Sequence, residues 1–244
     1  MLHTVTNPVV VPELATARLR LRGHQRDDLD ACLAMWSDPE VARYIGGQPS
    51  PRDAVWLRIM QYVGHWALRG FGYWLVEERA TGRFVGEVGV ADFMRELDPP
   101  IDGVPEAGWV IVPWAQGRGY ASEALTAVLG WAEANLGDPE IACLIDPANA
   151  PSLRVAAKAD FREVARTEWH GHPSVVLRSG RPKPKYQAQN SPARAPLFSS
   201  LLGPPGDLVG HDGDRRCGRS STRLVPVGHF VGRGLWLETS QRPI

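Results

Sequence analysis

Gln116, Gly117, Arg118 and Gly119 stand between an apolar run and a stretch of helical periodicity, and their types suit the binding of a phosphate or pyrophosphate. Glycines at 117 and 119 let the backbone approach a ligand with no Cβ in the way. Tyr120 and Ala121 open the following helix, whose first N–H groups lie at the positive end of its dipole. Arg118 and Gln116 add donors at the rim. The same pattern also describes a helix that simply begins after a Gly-rich turn, and spacing alone leaves both readings open. A P-loop is excluded, because it needs four residues between its glycines and then Lys-Ser/Thr, whereas a single residue separates Gly117 from Gly119 and no lysine follows. The dinucleotide fingerprint is a weak match. Its third glycine would fall on Ser122, and its acidic partner, Glu140, precedes the next apolar run instead of ending one.

The elements that must hold this loop are legible from period and punctuation. Leu19 and Leu21 alternate with Arg18, Arg20 and Arg22, the period of a strand with one wet face. A helix follows over residues 27–36. Ser50, Pro51 and Asp53 predict an N-cap serine, a proline at the first helical position and an acidic third residue, opening a helix that runs toward Leu68 and ends at Gly70 and Gly72. Residues 73–78 and 83–93 read as an antiparallel hairpin around 80–82. An Asp- and Pro-rich loop over 95–105 leads into a strand at 109–112. Then come a helix over 122–135, a strand over 141–145, a short helix over 152–158 and a final hairpin over 161–179. The expected fold is α/β (α+β), a single domain over 14–179 with a central mixed, mostly antiparallel twisted sheet flanked by helices. Residues 1–13 form a flexible N-terminus.

Gln116, Gly119 and Ala121 give Gln-x-x-Gly-x-Ala, which resembles the pyrophosphate-binding motif of the GNAT family of acetyl-CoA-dependent N-acetyltransferases. The likeness extends in order along the chain. Segment 16–22 (Thr-Ala-Arg-Leu-Arg-Leu-Arg) is similar to the opening strand of the branch that holds ribosomal-protein and antibiotic N-acetyltransferases. Segment 36–45 resembles that branch's early helix, 84–90 (Phe-Val-Gly-Glu-Val-Gly-Val) its third strand, and 149–152 (Asn-Ala-Pro-Ser) its asparagine-containing turn.

The resemblance implies acetyl-CoA as co-substrate and an amine as acceptor, either a small molecule or a peptide. It implies a strand at Trp109, Val110, Ile111 and Val112 that splays from its neighbour and binds the pantetheine amides like an added strand. Pro113 cannot donate a ladder bond, in keeping with pairing that ends there. It implies Glu106 as the general base, acting through a water, with Glu87 on the neighbouring strand as second choice. Asn149 would bind the pantetheine or its pyrophosphate end, and the Ser152 hydroxyl would bond the leaving thiolate unless it serves as a helix N-cap. Two positions depart from the family pattern. Ala156 stands where many members carry a tyrosine, and Asp160 replaces the glycine before the aromatic at Phe161. Both motivate an alternative, a non-catalytic acyl-CoA-binding or regulatory module. Trp36, Trp56, Trp66 and Trp74 are expected in the core in preference to an acceptor cleft.

Cys32, Cys143 and Cys217 are far apart and odd in number, which predicts reduced thiols in a cytoplasmic protein and no disulfide framework. Seven histidines show no ligand spacing, so no metal is expected. No apolar run approaches the roughly 20 residues needed to span a membrane, and no signal peptide is visible. Zero net charge conceals a division: residues 1–179 sum to −6 and residues 180–244 to +6. An acidic domain suits a cationic acceptor and argues against nucleic acid. A monomer or homodimer is expected. Residues 180–244 hold 8 Pro and 9 Gly in 65 positions, a composition that reads as a disordered tail. Its origin, a natural extension or an out-of-frame reading of an arginine-rich frame, stays open, with slightly more weight on the second. A basic tail could also serve a protein partner.

Overall fold

The computed structural model describes residues 9–179 apart from 99, 102 and 138; most of the N-terminal lead-in and the Pro- and Gly-rich tail lie outside the described residues. Eight strands form one sheet: β1 (Leu14–Ala15), β2 (Leu19–Arg22), β3 (Tyr73–Glu78), β4 (Phe84–Ala91), β5 (Glu106–Ile111), β6 (Ile141–Ile145), β7 (Arg162–Trp169) and β8 (His172–Ser179). Their spatial order is β1-β2-β3-β4-β5-β6-β8-β7. Among the described residues five α-helices accompany them: α1 (Leu29–Trp36), α2 (Pro39–Ala42), α3 (Arg52–Arg69), α4 (Tyr120–Leu136) and α5 (Ala150–Lys158). The sheet is mixed and mostly antiparallel, as the sequence predicts, with β5 and β6 the parallel pair. No helix among the described residues is long and apolar enough to cross a membrane.

Side-chain alternation assigns the faces. Trp74 and Val88 are register partners, and Trp74 meets Trp131 of α4 edge-on at 5.2 Å, so α4 covers that face. The opposite face carries Tyr73, Leu75, Glu87 and Gly89, with Val110 and Gly108 opposite the last two. Here Trp36 of α1 bonds Glu87, and Tyr62 of α3 stacks on Tyr73 at 4.5 Å. Trp36, Trp66 and Trp74 are buried, and Trp56 packs partly buried against the same core. The tryptophans are core residues, as expected.

Several element starts differ from the sequence reading by one to three residues, and three of them have a visible cause. Pro51, not Ser50, is the N-cap of α3: its carbonyl accepts the Val55 N–H at 3.1 Å, and Arg52 is the first helical residue. The φ of −71° that suits proline to a first helical turn suits the cap as well. Helix α4 begins at Tyr120, because Gly119 caps it in the left-handed region with φ 81°. Strand β5 begins at Glu106, whose charge is met by an arginine and whose backbone already pairs with Ala91 and Ala142.

Candidate active site

Strand β5 is paired along its whole length on one side only. Toward β4 the register runs from Ala91↔Glu106 to Gly86↔Ile111. Toward β6 there is one bridge, Glu106↔Ala142, with the Ala142 N–H on the Pro105 carbonyl at 2.9 Å. No further β5–β6 bridge follows among the described residues, so the strands part after their first contact. Val112 donates to Val85 of the β4 side at 3.0 Å, and alternation then turns the backbone groups of Trp109 and Ile111 toward the opening. This stretch of edge has no partner strand among the described residues, its Ile111 carbonyl accepting from the Gln116 side chain at 2.9 Å, and such an edge takes up an extended amide chain as an added strand.

The opening leads to the glycine loop. After a 3-10 turn (Pro113–Ala115), Gly117 takes φ 73° and Gly119 φ 81°, values that favour glycine. No atom lies within 4 Å of a Cβ placed on Gly117, so its outer face is open. Within α4 the first return bond to the cap runs from the Glu123 N–H to the Gly119 carbonyl at 3.0 Å. The N–H groups of Tyr120, Ala121 and Ser122 therefore precede the helical ladder and point out of the helix start. Gln116 acts differently from a rim donor: its side-chain amide donates to the Ile111 carbonyl at 2.9 Å and ties the loop to the end of β5.

Cations surround this loop. Arg18 Nη1 donates to the Arg118 carbonyl at 3.0 Å, and its guanidinium lies 4.5 Å from the Tyr120 ring centroid. Glu123 fixes Arg18 in place by accepting from Nε at 2.7 Å, from the Arg18 backbone N–H at 2.9 Å and from the Thr16 hydroxyl at 2.6 Å. Burial works against the Glu123 charge, but the Thr16 and Arg18 bonds prevail and hold its carboxyl below the usual range. Arg83 and Arg118 flank the Trp114 ring at 3.8 Å and 5.4 Å. Open backbone donors, a helix start and three arginines are features that suit an anion.

The two candidate glutamates are both buried on the face under α1 and α3. Glu106, 6% exposed, is gripped by Arg95, with Nε 2.6 Å from Oε2 and Nη2 3.0 Å from Oε1. Glu87, 0% exposed, faces His24 Nε2 at 3.2 Å and accepts from Trp36 Nε1 at 2.9 Å. Between them Gly89 and Gly108 stand opposite each other, and the Tyr73 ring lies across both: a Cβ on Gly108 would fall 2.1 Å from the Tyr73 hydroxyl.

The model of the acetyltransferase (GNAT) domain family matches residues 18–162. The chain belongs to the GNAT acetyltransferase family. It is thus an acetyl-CoA-dependent acyltransferase, moving an acyl group to an amine. YkkB of Bacillus subtilis (strain 168), an uncharacterised protein, is 33% identical over 154 residues, covering 60% of this chain and 83% of its own. A solved structure from Bordetella pertussis, assigned to the GNAT acetyltransferases, is 29% identical with a TM-score of 0.63, covering 70% of this chain and all of that one. Spermidine N-acetyltransferase from Vibrio cholerae, solved with CoA and spermine, shares the fold at 19% identity and TM-score 0.53, covering 67% and 94%.

Within this GNAT domain, the turn after β6 is intact despite its departures. Asn149 is the N-cap of α5, its Oδ1 accepting the Ser152 N–H at 3.1 Å. The cap uses the Ser152 backbone and not its hydroxyl, so Ser152 itself is no N-cap. Ala156 is fully buried and offers no hydroxyl where many GNAT members have tyrosine, while its carbonyl accepts the Phe161 N–H at 3.0 Å. Asp160 adopts φ 58° and keeps the turn that the family builds on glycine. Aspartate enters that region more readily than most residues.

Spacing along the chain carries no signal for the roles of Arg18, Glu123 and Arg95. Arg18 belongs to the wet face of a strand by its period, and its partner Glu123 lies 105 residues away. A convergence of His24, Cys32 and Glu87, whose ligand-type atoms lie within 4.8 Å of one another, also has no counterpart in spacing. Burial drives the Cys32 thiol pKa well up, so this cysteine stays protonated.

Proposed function

We propose that this enzyme transfers an acetyl group from acetyl-CoA to a primary amine, a protein N-terminus or a small amine, by direct attack within residues 14–179. The observation that carries the reading is the β5 edge, left unpaired beyond Glu106 and leading to the open glycine loop. The residues present fit the co-substrate. Backbone N–H groups of Gly117, Arg118, Gly119, Tyr120 and Ala121, with Arg18 and Arg118 alongside, would hold the pyrophosphate; Gln116 keeps that loop in register with the strand. Trp109, Val110, Ile111 and Val112 would receive the pantetheine amides, the groups of 109 and 111 facing the opening, and Asn149 would bind the pantetheine or its pyrophosphate end.

When bound, acetyl-CoA supplies an activated thioester. The chain's own task is to place a neutral amine beside it and to manage protons. Glu106 sits at the point where β5 and β6 part and, once Arg95 releases an oxygen, would accept the acceptor's ammonium proton, directly or through a water. Glu87 is sealed under α1 by His24 and Trp36 and serves less well, so the base role goes to Glu106. The Ser152 hydroxyl, left out of the α5 cap, is the candidate to donate a hydrogen bond to the departing sulfur, since Ala156 cannot.

The test is calorimetric titration of acetyl-CoA into the full-length protein and into Gly119→Trp, followed by thiol release across a set of amines. Micromolar binding abolished by the substitution, with turnover of a primary amine, is expected. Binding unchanged in Gly119→Trp would remove the loop from the site. Binding without turnover of any amine would favour an acyl-CoA-binding module over an enzyme of this specificity.

A further inference from the structure

The segment from Asp92 to Arg95 is anchored at one end and strained just before the other. Asp92 is held to α3 twice, by Arg69 at 3.0 Å and through its carbonyl by His65 Nε2 at 2.9 Å. Phe93 meets the His65 ring edge-on at 5.6 Å. Met94 then takes φ 49° with its side chain exposed, a conformation that a residue of this kind rarely adopts. That turn delivers Arg95 onto Glu106, with both carboxylate oxygens engaged at 2.6 Å and 3.0 Å. The guanidinium carbon lies 4.6 Å from the Phe93 centroid and 4.9 Å from that of Trp169, at the end of β7. A buried carboxylate walled by two aromatic faces is a cage for a cation.

Arg95 and the proposed chemistry cannot both use Glu106 at once. A carboxylate whose two oxygens hold a guanidinium has no free oxygen for a substrate proton. A permanent structural pair would be built between regular elements, as with Arg22 of β2, which is clasped by Asp28 and by Glu77 of β3 at 2.7 Å each. Arg95 instead hangs from an irregular segment through a strained residue, and its side chain keeps 22% exposure against 8% for that of Glu106. The cation can therefore swing toward water without disturbing a strand or helix.

We infer that Arg95 occupies the seat of the acceptor's cationic head, and that a primary alkylammonium enters by displacing it. This rests on the reading of Glu106 given above. Arg95 then acts as an internal competitor that sets the acceptor affinity, and the Phe93–Trp169 walls select a cation over a neutral or anionic head of equal size.

The experiment uses the full-length protein without acetyl-CoA and the probe n-butylammonium chloride, with n-butanol as the neutral isostere, followed by calorimetry and thermal unfolding. Arg95→Met is expected to bind n-butylammonium at least about tenfold tighter than the wild type and to ignore n-butanol. The double variant Arg95→Met/Glu106→Gln is expected to lose that binding. Equal affinity in the wild type and Arg95→Met, no binding to a folded Arg95→Met, or binding that survives Glu106→Gln would each overturn the inference. Should Arg95→Met fail to fold, Arg95→Lys decides. Its single ammonium leaves one carboxylate oxygen free, so n-butylammonium should bind it more tightly than the wild type, and no gain would overturn the inference. Titration of acetyl-CoA into the same samples separates the two readings. Acetyl-CoA binding without a cation seat defeats the cage alone, and loss of acetyl-CoA binding by the wild type defeats the reading of the cofactor site instead.

Discussion

Glu87 and Glu106 lie on the same face of neighbouring strands, and both are buried, yet their charges are met in opposite ways. Glu87 is surrounded by groups from regular or fixed positions: Trp36 and Cys32 of α1, and His24 just after β2. Burial alone would raise its carboxyl, but the bonds from His24, Cys32 and Trp36 outweigh it, and the group sits below the usual carboxylate range. Glu106 has one ionic partner among the described residues, Arg95, brought by an irregular segment. Many short bonds from the core make a permanent carboxylate. A single guanidinium on a loop makes one that can be vacated. The first arrangement fastens the α1 layer to the sheet, and the second leaves a charge available for chemistry.

The largest effect expected from this contrast is on stability at the first site. Glu87→Ala would strand the buried His24 and Trp36 donors, and breaking such an arrangement from one side costs about 3–5 kcal/mol. Urea unfolding checks it, and a loss below about 1 kcal/mol would mean that the network is no anchor. At the second site the loss should appear in rate. Glu106→Gln keeps the shape and removes the proposed base, so kcat at saturating acetyl-CoA and amine should fall roughly a hundredfold or more. Acetyl-CoA affinity should hold and stability should change by only about 1 kcal/mol, since Arg95 can turn to water. If instead the protein unfolds and the rate of the folded fraction persists, the two glutamates have been assigned the wrong way round.

A smaller effect isolates one bond of the first network. Trp36→Phe preserves most of the apolar volume and deletes the donor 2.9 Å from Glu87 Oε2. It should cost about 1–3 kcal/mol, the penalty of one buried acceptor left short, and leave kcat unchanged. A fall in kcat with unaltered stability would tie Glu87 to the reaction after all.

The parts of this molecule that could be read from the sequence are those set by neighbours in the chain. Leu19 and Leu21 are fully buried while Arg20 between them is exposed, the alternation itself. Gly70 ends α3 at φ 72°, and β6 spans Ile141–Ile145, as apolar period and glycine punctuation predict. Gly117 and Gly119 both take a positive φ, a conformation that suits the glycines the sequence places there. The site was harder, because its charges are paired across the fold. Arg18 meets Glu123 over 105 residues, and Trp36 meets Glu87 over 51, distances at which only the strand order decides who is adjacent. Arg95 is 11 residues from Glu106, but the segment between has no period to say which way a side chain turns. The parting of β5 from β6 was an expectation drawn from family likeness, since an apolar strand reads the same whether its second edge is paired or open.

The smallest effect expected concerns acid. The folded-state pKa of Glu87 lies below its ordinary value of 4.5, so the native protein resists taking up that proton more than the unfolded chain does. Stability from this source is complete above pH 4.5 and is lost as the pH falls through the folded value. Asp28, whose carboxyl is held down by Arg22 and the Gln25 N–H against the opposing pull of burial, acts in the same direction from its ordinary 3.8. Urea midpoints of the wild type and Glu87→Gln, compared from about pH 6 to pH 3, separate the two contributions. The wild type should lose stability more steeply, and the gap between them should narrow as acid is added, because protonated Glu87 and glutamine are nearly alike. A gap that stays constant over that range would mean that folding leaves the proton affinity of Glu87 unchanged, and a wild type that gains on the variant as acid is added would mean that Glu87 is protonated in the folded protein. In that last case Glu87 would be a neutral buried acid, and its contrast with the Arg95–Glu106 pair would not be one between two ways of holding a charge.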